Sequence, residues 1–195
     1  MNLYFVRHGE TKENQGGSYY GSLDVELTEQ GILQSHRAEE ILRDINFKTV
    51  YISEKKRAEQ TADILLKNKH CNLIRDSRIN ETNFGEFEGK AYDKIKELYP
   101  AEWKLWCENW RDFAPPGGES YLQVYGRVKS FMDDILKLDE ENILIVTHGG
   151  VIRSIYCYIL GGNLDFFWSF GSKNCDITLI KYEYGNLFID SITHV

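Results

Sequence analysis

Three short stretches, LYFV at 3–6, TVYIS at 49–53 and ILIVTH at 143–148, are apolar without the alternation of a half-buried strand. Such stretches are buried on both faces, which places them inside a parallel sheet covered by helices on either side. The intervening sequence supplies those helices. Thr28 can cap one that extends to about Asp44, with Leu33, Ala38, Ile41, Leu42 and Ile45 on its expected inner face. A second runs from about Lys56 through Ala58, Ala62 and Leu65, a third from about Ser120 to Leu138, and a fourth from about Gly150 to Leu160. LIR at 73–75 reads as a short strand, and ITLIKYEYGNLFIDSI alternates around Gly185-Asn186 as a hairpin does. The expected fold class is α/β, a three-layer sandwich with a mostly parallel sheet, an antiparallel edge hairpin and a helical cap insertion. Right-handed crossovers in such a sheet bring ligands to the carboxyl ends of its strands.

A chain of 195 residues can build one core of good size but not two, so residues 1–195 are expected to form a single domain. The segment at about 90–118 reads as an excursion from it: helical, rich in aromatics, broken by Pro100 and closed by Pro115, Pro116, Gly117 and Gly118. Its Trp103, Trp106, Trp110 and Phe113 could form a cap over a substrate or simply pack together.

The formal charge of -7 leaves no basic stripe for nucleic acid or an anionic membrane. A small anionic substrate is compatible with it if positive charge is gathered locally. Cys71, Cys107, Cys157 and Cys175 are scattered without a C-x-x-C spacing, so reduced, mostly packed thiols in a cytoplasm are expected rather than a zinc site or redox pair. The apolar run before Arg7 is too short for a signal peptide or a membrane span.

Chemistry enters where two of the strands end. LYFV runs into Arg7-His8-Gly9, and ILIVT into His148-Gly149. Parallel strands deliver their carboxyl ends to one edge, so both imidazoles arrive there together. Arg57, in ISEKKRAEQTA where a third strand turns into its helix, joins Arg7 at that edge. Guanidinium groups match phosphate oxygens, and helix N-terminal amides add further donors, so the expected ligand is a phosphoryl group. Cationic neighbours disfavour an imidazolium, leaving His8 neutral and able to attack phosphorus as a nucleophile. The departing alkoxide needs a proton, and Glu81 in RINETNFGEFEG is the carboxyl best placed to give it, a neighbouring phosphate dianion favouring its protonated form. Two other readings compete. A metal site built from His8, His148, Glu10 and Asp24 is disfavoured by the adjacent arginines, and a non-catalytic phosphate sensor by the presence of both nucleophile and acid. His36, His70 and His194 are expected in solvent, and Glu86 and Glu88 on a loop surface, from which one of them could support the acid.

RHGETKEN, YYGSLDVELTEQG, ISEKKRAEQTA, INETNFGEFEG, PPGGES and VTHGGVIR stand in the order and spacing of the histidine phosphatase superfamily, also called the phosphoglycerate-mutase-like family. Nearly the whole chain resembles it. The resemblance implies that His8 is the phosphorylated nucleophile, that Arg7, Arg57 and His148 hold and stabilise the phosphoryl group, and that Glu81 is first acid, then base. It further implies phosphate or substrate contacts from Asn14, Gly21 and the backbone of Gly149, a small phosphorylated metabolite as partner, and no metal or organic cofactor. Tyr20 departs from the Gln that many relatives carry before the glycine, so its phenol could stack on the leaving group, hydrogen-bond it, or pack.

Only about thirty residues separate Gly89 from Glu119, where mutases of the superfamily carry a longer insertion, and this favours a phosphatase over a phosphoglycerate mutase. Within the superfamily, AEWKLWCENWRDFAPPGGESYLQVYGRV and FFWSFGSKNCDITLI resemble the α-ribazole-5'-phosphate phosphatases of cobalamin biosynthesis. That likeness implies a benzimidazole ring beneath the aromatic cap, with a broad-specificity sugar-phosphate phosphatase as the alternative. The alternating hairpin could also pair across a homodimer.

Overall fold

The computed structural model describes residues 1–67 and 69–195. Strand β1 (Asn2–Arg7) leads through the short helix α1 (Lys12–Gly16) and strand β2 (Ser18–Tyr19) to α2 (Glu29–Leu42), followed by β3 (Thr49–Ile52), α3 (Lys56–Leu65) and β4 (Asn72–Arg75). Beyond two 3-10 turns come β5 (Lys90–Ala91), α4 (Tyr92–Leu98), α5 (Pro100–Glu108), α6 (Tyr121–Ile135), β6 (Asn142–Thr147) and α7 (Gly149–Ile159). The hairpin of β7 (Ile177–Glu183) and β8 (Asn186–Thr193) closes the chain. The main sheet has the order β4-β3-β6-β1-β7-β8, its first four strands parallel and its last two antiparallel. The expected α/β class is therefore the observed one. Among the described residues no helix is long and apolar enough to cross a membrane.

The unbroken apolar runs are explained by two covered faces. Leu3, Phe5, Ile143 and Ile145 pack with Val124, Val128 and Phe131 of α6 and Val151, Ile152 and Ile155 of α7. Their sequence neighbours Val6, Leu144 and Val146 turn to the opposite side, against Ala38 and Leu42 of α2 and Ala58, Ala62 and Leu65 of α3. A third cluster lies apart from the sheet: Trp103 and Trp106 of α5 pack with Phe84, Phe87, Tyr121 and Phe167, and Trp110 and Phe113 sit half-buried against them.

Two local expectations are corrected. Thr28 does cap α2, its hydroxyl accepting from the Gly31 amide, but the buried face of that helix is Gly31, Ser35, Ala38 and Leu42. Leu33 and Ile41 are exposed, at 54% and 47%. The reason is close approach: a Cβ on Gly9 would lie 2.5 Å from the Gly31 carbonyl oxygen, so the helix must turn its small residues toward the loop after β1. In the hairpin the two-residue loop is Tyr184-Gly185, with φ of 52° and 78°, and Asn186 already belongs to β8. Positive φ at both central positions matches the right-handed twist of the flanking strands.

Strands β1 and β6 are neighbours, with Arg7 opposite Thr147. The chain leaving β1 goes to α2 on one face of the sheet, and the chain leaving β6 goes to α7 on the other. Neighbouring parallel strands whose connections part in this way open a crevice at their carboxyl ends. His8 and His148 are the first residues beyond those two ends.

Candidate active site

The His8 amide donates to the Thr147 carbonyl at 2.9 Å, so the parallel ladder runs one step past β1 and holds His8 beside His148. The ring centroids are 5.1 Å apart, and both side chains are buried. His8 Nδ1 lies 2.7 Å from the Gly9 carbonyl oxygen. A carbonyl only accepts, so Nδ1 carries the proton and Nε2 holds a free lone pair. Burial above all, then the Arg57 and Arg7 charges, keeps this imidazole well below the usual histidine range. His148 is held down in the same way, by burial first and then by Arg57. Its Nε2 is 2.7 Å from Ser53 Oγ, whose hydroxyl donates to Asn80 Oδ1 at 2.9 Å, while the Glu54 amide fixes that amide oxygen from the other side. Nε2 therefore donates, and Nδ1 is left buried without a partner.

Arg7 ends β1 and Arg57 lies in the first turn of α3. Arg57 is fully buried; its Nη1 and Nη2 donate to the carbonyls of Leu23 and Gly21 at 2.8 and 2.9 Å. The Tyr20 ring lies 4.9 Å from its guanidinium, and the Tyr20 hydroxyl accepts from Thr11 Oγ1 at 2.8 Å. Tyr20 thus backs Arg57 with its ring. Arg7 Nη1 donates to the Ser172 carbonyl, and the Nε atoms of both arginines are buried without partners. Asn14 accepts through Oδ1 from the Thr11 amide and from Asn174 Nδ2, which turns its own NH2 group to the cavity.

Glu81 lies beyond β4, in the irregular stretch that follows a 3-10 turn. Its Oε1 accepts from the Thr82 amide at 2.8 Å and its Oε2 from the Gly150 amide, the second residue of α7, at 3.1 Å. A Cβ on residue 150 would run into that carboxylate, so the glycine lets the helix start close to the acid. Arg7, Asn14, Tyr20, Arg57, Glu81 and Gly149 all line one cavity of about 360 Å³.

Two expectations read differently here. Gly21 does not line the cavity: its amide donates to Glu88 at 2.9 Å and its carbonyl faces Arg57. Glu88 is no surface residue but a clamp, its carboxylate accepting from the amides of Gly21, Ser22 and Phe84. Those partners come from loops far apart in sequence, whose amides face one another only once folded. Glu10 and Asp24 are also engaged away from the histidines, Glu10 with Gln15 and Thr28, Asp24 with the Lys56 amide. Among the described residues no group of three or more His, Cys, Asp or Glu is placed to hold a metal ion.

Further cavity residues escaped the sequence reading. Arg153 lies one helical turn after Gly149, a spacing present in VTHGGVIR that would have revealed it. Its guanidinium sits 4.8 Å from the Trp168 ring, Nε donates to the Phe170 carbonyl, and no carboxylate pairs with it among the described residues. A second cavity, of about 160 Å³, is lined by Trp103, Trp106, Cys107 and Trp110 and shares Tyr19, Tyr121 and Trp168 with the first.

Two guanidiniums and a carboxyl line one cavity, and the imidazoles of His8 and His148, which are buried and do not themselves line it, sit at the same strand ends; at the switch point of a mostly parallel sheet this defines a phosphoryl-handling class of α/β protein. Residues 3–194 match the histidine phosphatase superfamily (branch 1), and the chain belongs to that superfamily as a phosphomonoester hydrolase. Among its relatives, phosphoserine phosphatase 1 of Hydrogenobacter thermophilus is 33% identical over 94% of this chain and 87% of its own. The adenosylcobalamin/alpha-ribazole phosphatase of Escherichia coli K12 is 29% identical over 87% and 84%. The crystal structure of the alpha-ribazole phosphatase from Shigella flexneri superposes with a TM-score of 0.94 at 27% identity, covering 98% of this chain and 96% of that one.

Proposed function

We propose that the chain hydrolyses its phosphomonoester through a phosphohistidine on His8. The observation that carries this is the bond from His8 Nδ1 to the Gly9 carbonyl, which leaves the Nε2 lone pair to attack. That lone pair forms the N–P bond, the P–O bond to the leaving group breaks, and the departing oxygen takes the proton of Glu81. Water then attacks phosphorus, Glu81 takes a proton from it, the N–P bond breaks and inorganic phosphate leaves. Arg7, Arg57 and the Asn14 amide hold the phosphoryl oxygens, and the unpartnered His148 Nδ1 donates to one of them after taking up a proton. The Gly149 amide, without an intrahelical partner at the start of α7, adds a donor.

The leaving group is α-ribazole. Its support is the second cavity, an aromatic recess that shares Tyr19, Tyr121 and Trp168 with the phosphoryl site and is suited to a flat, apolar ring. Residues 90–118 are the cap of a single domain in this reading, and the four free cysteines fit a reducing cytoplasm. One observation favours a second reading: the unpaired Arg153 suits a leaving group that carries a carboxylate, such as serine. Phosphate release is to be compared on α-ribazole 5'-phosphate, phosphoserine, 3-phosphoglycerate and p-nitrophenyl phosphate, in EDTA. A preference of roughly 100-fold or more in kcat/KM for the ribazole ester is expected, about 2.7 kcal/mol at the transition state. A preference for phosphoserine would install the second reading. Full activity in a His8→Ala protein would remove the phosphohistidine from both.

A further inference from the structure

Glu81 stands on a stretch without regular secondary structure, so something else must fix it. The backbone carbonyls around it converge on one guanidinium. Arg127, in the middle of α6, donates through Nη1 to the carbonyls of Arg78 and Asn80 at 2.7 and 2.6 Å, and through Nη2 to that of Glu81 at 3.2 Å. Glu119 grips the same guanidinium from behind, with Nε at 2.9 Å from Oε1 and Nη2 at 3.1 Å from Oε2. Glu119 also accepts from the Asn83 amide at 3.0 Å and donates its own amide to the Asn83 carbonyl at 2.7 Å. The acid is thus held on both sides along the chain. Neither Arg127 nor Glu119 lines the cavity. Glu119 is the glutamate of PPGGES, a motif to which the reaction itself assigns no task.

We infer that Arg127, locked by Glu119, is the positioning residue for the acid and base Glu81, a role that rests on the phosphohistidine reading above. Only a planar fork can serve three carbonyls and a carboxylate at once; a lysine ammonium reaches one or two. Loosening the fork moves the Glu81 carboxyl and leaves the Arg7, Arg57 and His8 cluster where it is.

The two half-reactions separate this role from general damage. An alkyl leaving group needs the Glu81 proton, whereas p-nitrophenolate departs without it; hydrolysis of the phosphohistidine needs Glu81 as base in either case. Rapid mixing of Arg127→Lys with p-nitrophenyl phosphate is expected to give a first-turnover burst at close to the unaltered rate. Slow steady-state turnover, reduced roughly 100-fold, and accumulated phosphohistidine should follow. With phosphoserine or another alkyl phosphate, the first turnover itself falls by a similar factor. Glu119→Gln, which keeps the side-chain volume, should repeat the pattern and serves if Arg127→Lys does not fold. In a Glu81→Gln background either change should cost less than about twofold, because the group being positioned is gone. A burst reduced by the same factor as alkyl-phosphate turnover, or full additivity with Glu81→Gln, would overturn the role. Absence of phosphohistidine in the unaltered protein would overturn the chemistry and this role with it, so the two failures are distinguishable.

Discussion

At the residue scale, the site consists of side chains whose protonation is decided by what they touch. The Gly9 carbonyl sets the His8 tautomer, and burial followed by Arg57 and Arg7 keeps its neutral form far into acid. The consequence for stability has a definite sign. An unfolded histidine takes up a proton near pH 6.5, while folded His8 and His148 do so only well below it. The unfolded state therefore binds more protons as pH falls, and stability present above about pH 6.5 is lost beneath it, at up to about 1.4 kcal/mol per pH unit for each histidine. Urea midpoints measured from pH 7 to pH 5 should decline, and less steeply in His8→Asn; equal slopes in the two proteins would refute the burial of a neutral imidazole. That His8, His148, Arg7 and Arg57 gather at one edge could be read from the chain because each ends or follows a strand or lies in the first turn of a helix there, whereas Glu81 lies past a 3-10 turn and was placed only as the carboxyl after β4. Glu88 was not, since its task is to bond amides of Gly21 and Ser22, more than sixty residues away.

At the element scale, helix α2 shows how a periodic pattern can be correct in phase length and wrong in direction. Two faces of the helix carry apolar residues, and the larger ones, Leu33 and Ile41, lie outside. The choice was made by distance. The helix packs so close to the loop after β1 that only Gly31 and Ser35 fit there, and Ala38, next along the same face, meets the sheet. Ala38→Leu should overpack this contact and cost about 1–3 kcal/mol in chemical denaturation, whereas Ile41→Ser should fall within about 0.5 kcal/mol of the parent. The reverse order would mean that α2 is turned as the apolar pattern alone suggests. Segment α4–α5 behaved more simply: Pro100 ends one helix and opens the next at its first position, as its missing amide requires.

At the scale of the whole molecule, one sheet carries two structures of different kinds. Its carboxyl edge holds the charged cluster, and the aromatic segment packs beside that edge around Tyr121 and Trp106, rings stacked at an interplanar angle of 19°. The division predicts separable effects. Trp110 is half-buried and lines the second cavity, so Trp110→Ala should lower kcat/KM for α-ribazole 5'-phosphate roughly fivefold, the worth of about 1 kcal/mol of ring contact. Turnover of p-nitrophenyl phosphate at saturation should change by less than about twofold. Equal losses on both substrates would return Trp110 to plain packing.

The α/β class, the three buried strands, the helix cap at Thr28 and the residues that meet at the strand ends were all readable along the chain. These follow from local rules, because periodicity, capping and chain direction act over a few residues and parallel strands share one edge. Three things came out of the folded arrangement alone: which face of α2 is buried, that Gly21 serves Glu88 and Arg57 rather than the cavity, and that Arg127 grips the loop of the acid. Each of these depends on distances between segments far apart in the chain, and close packing, not local propensity, sets such distances.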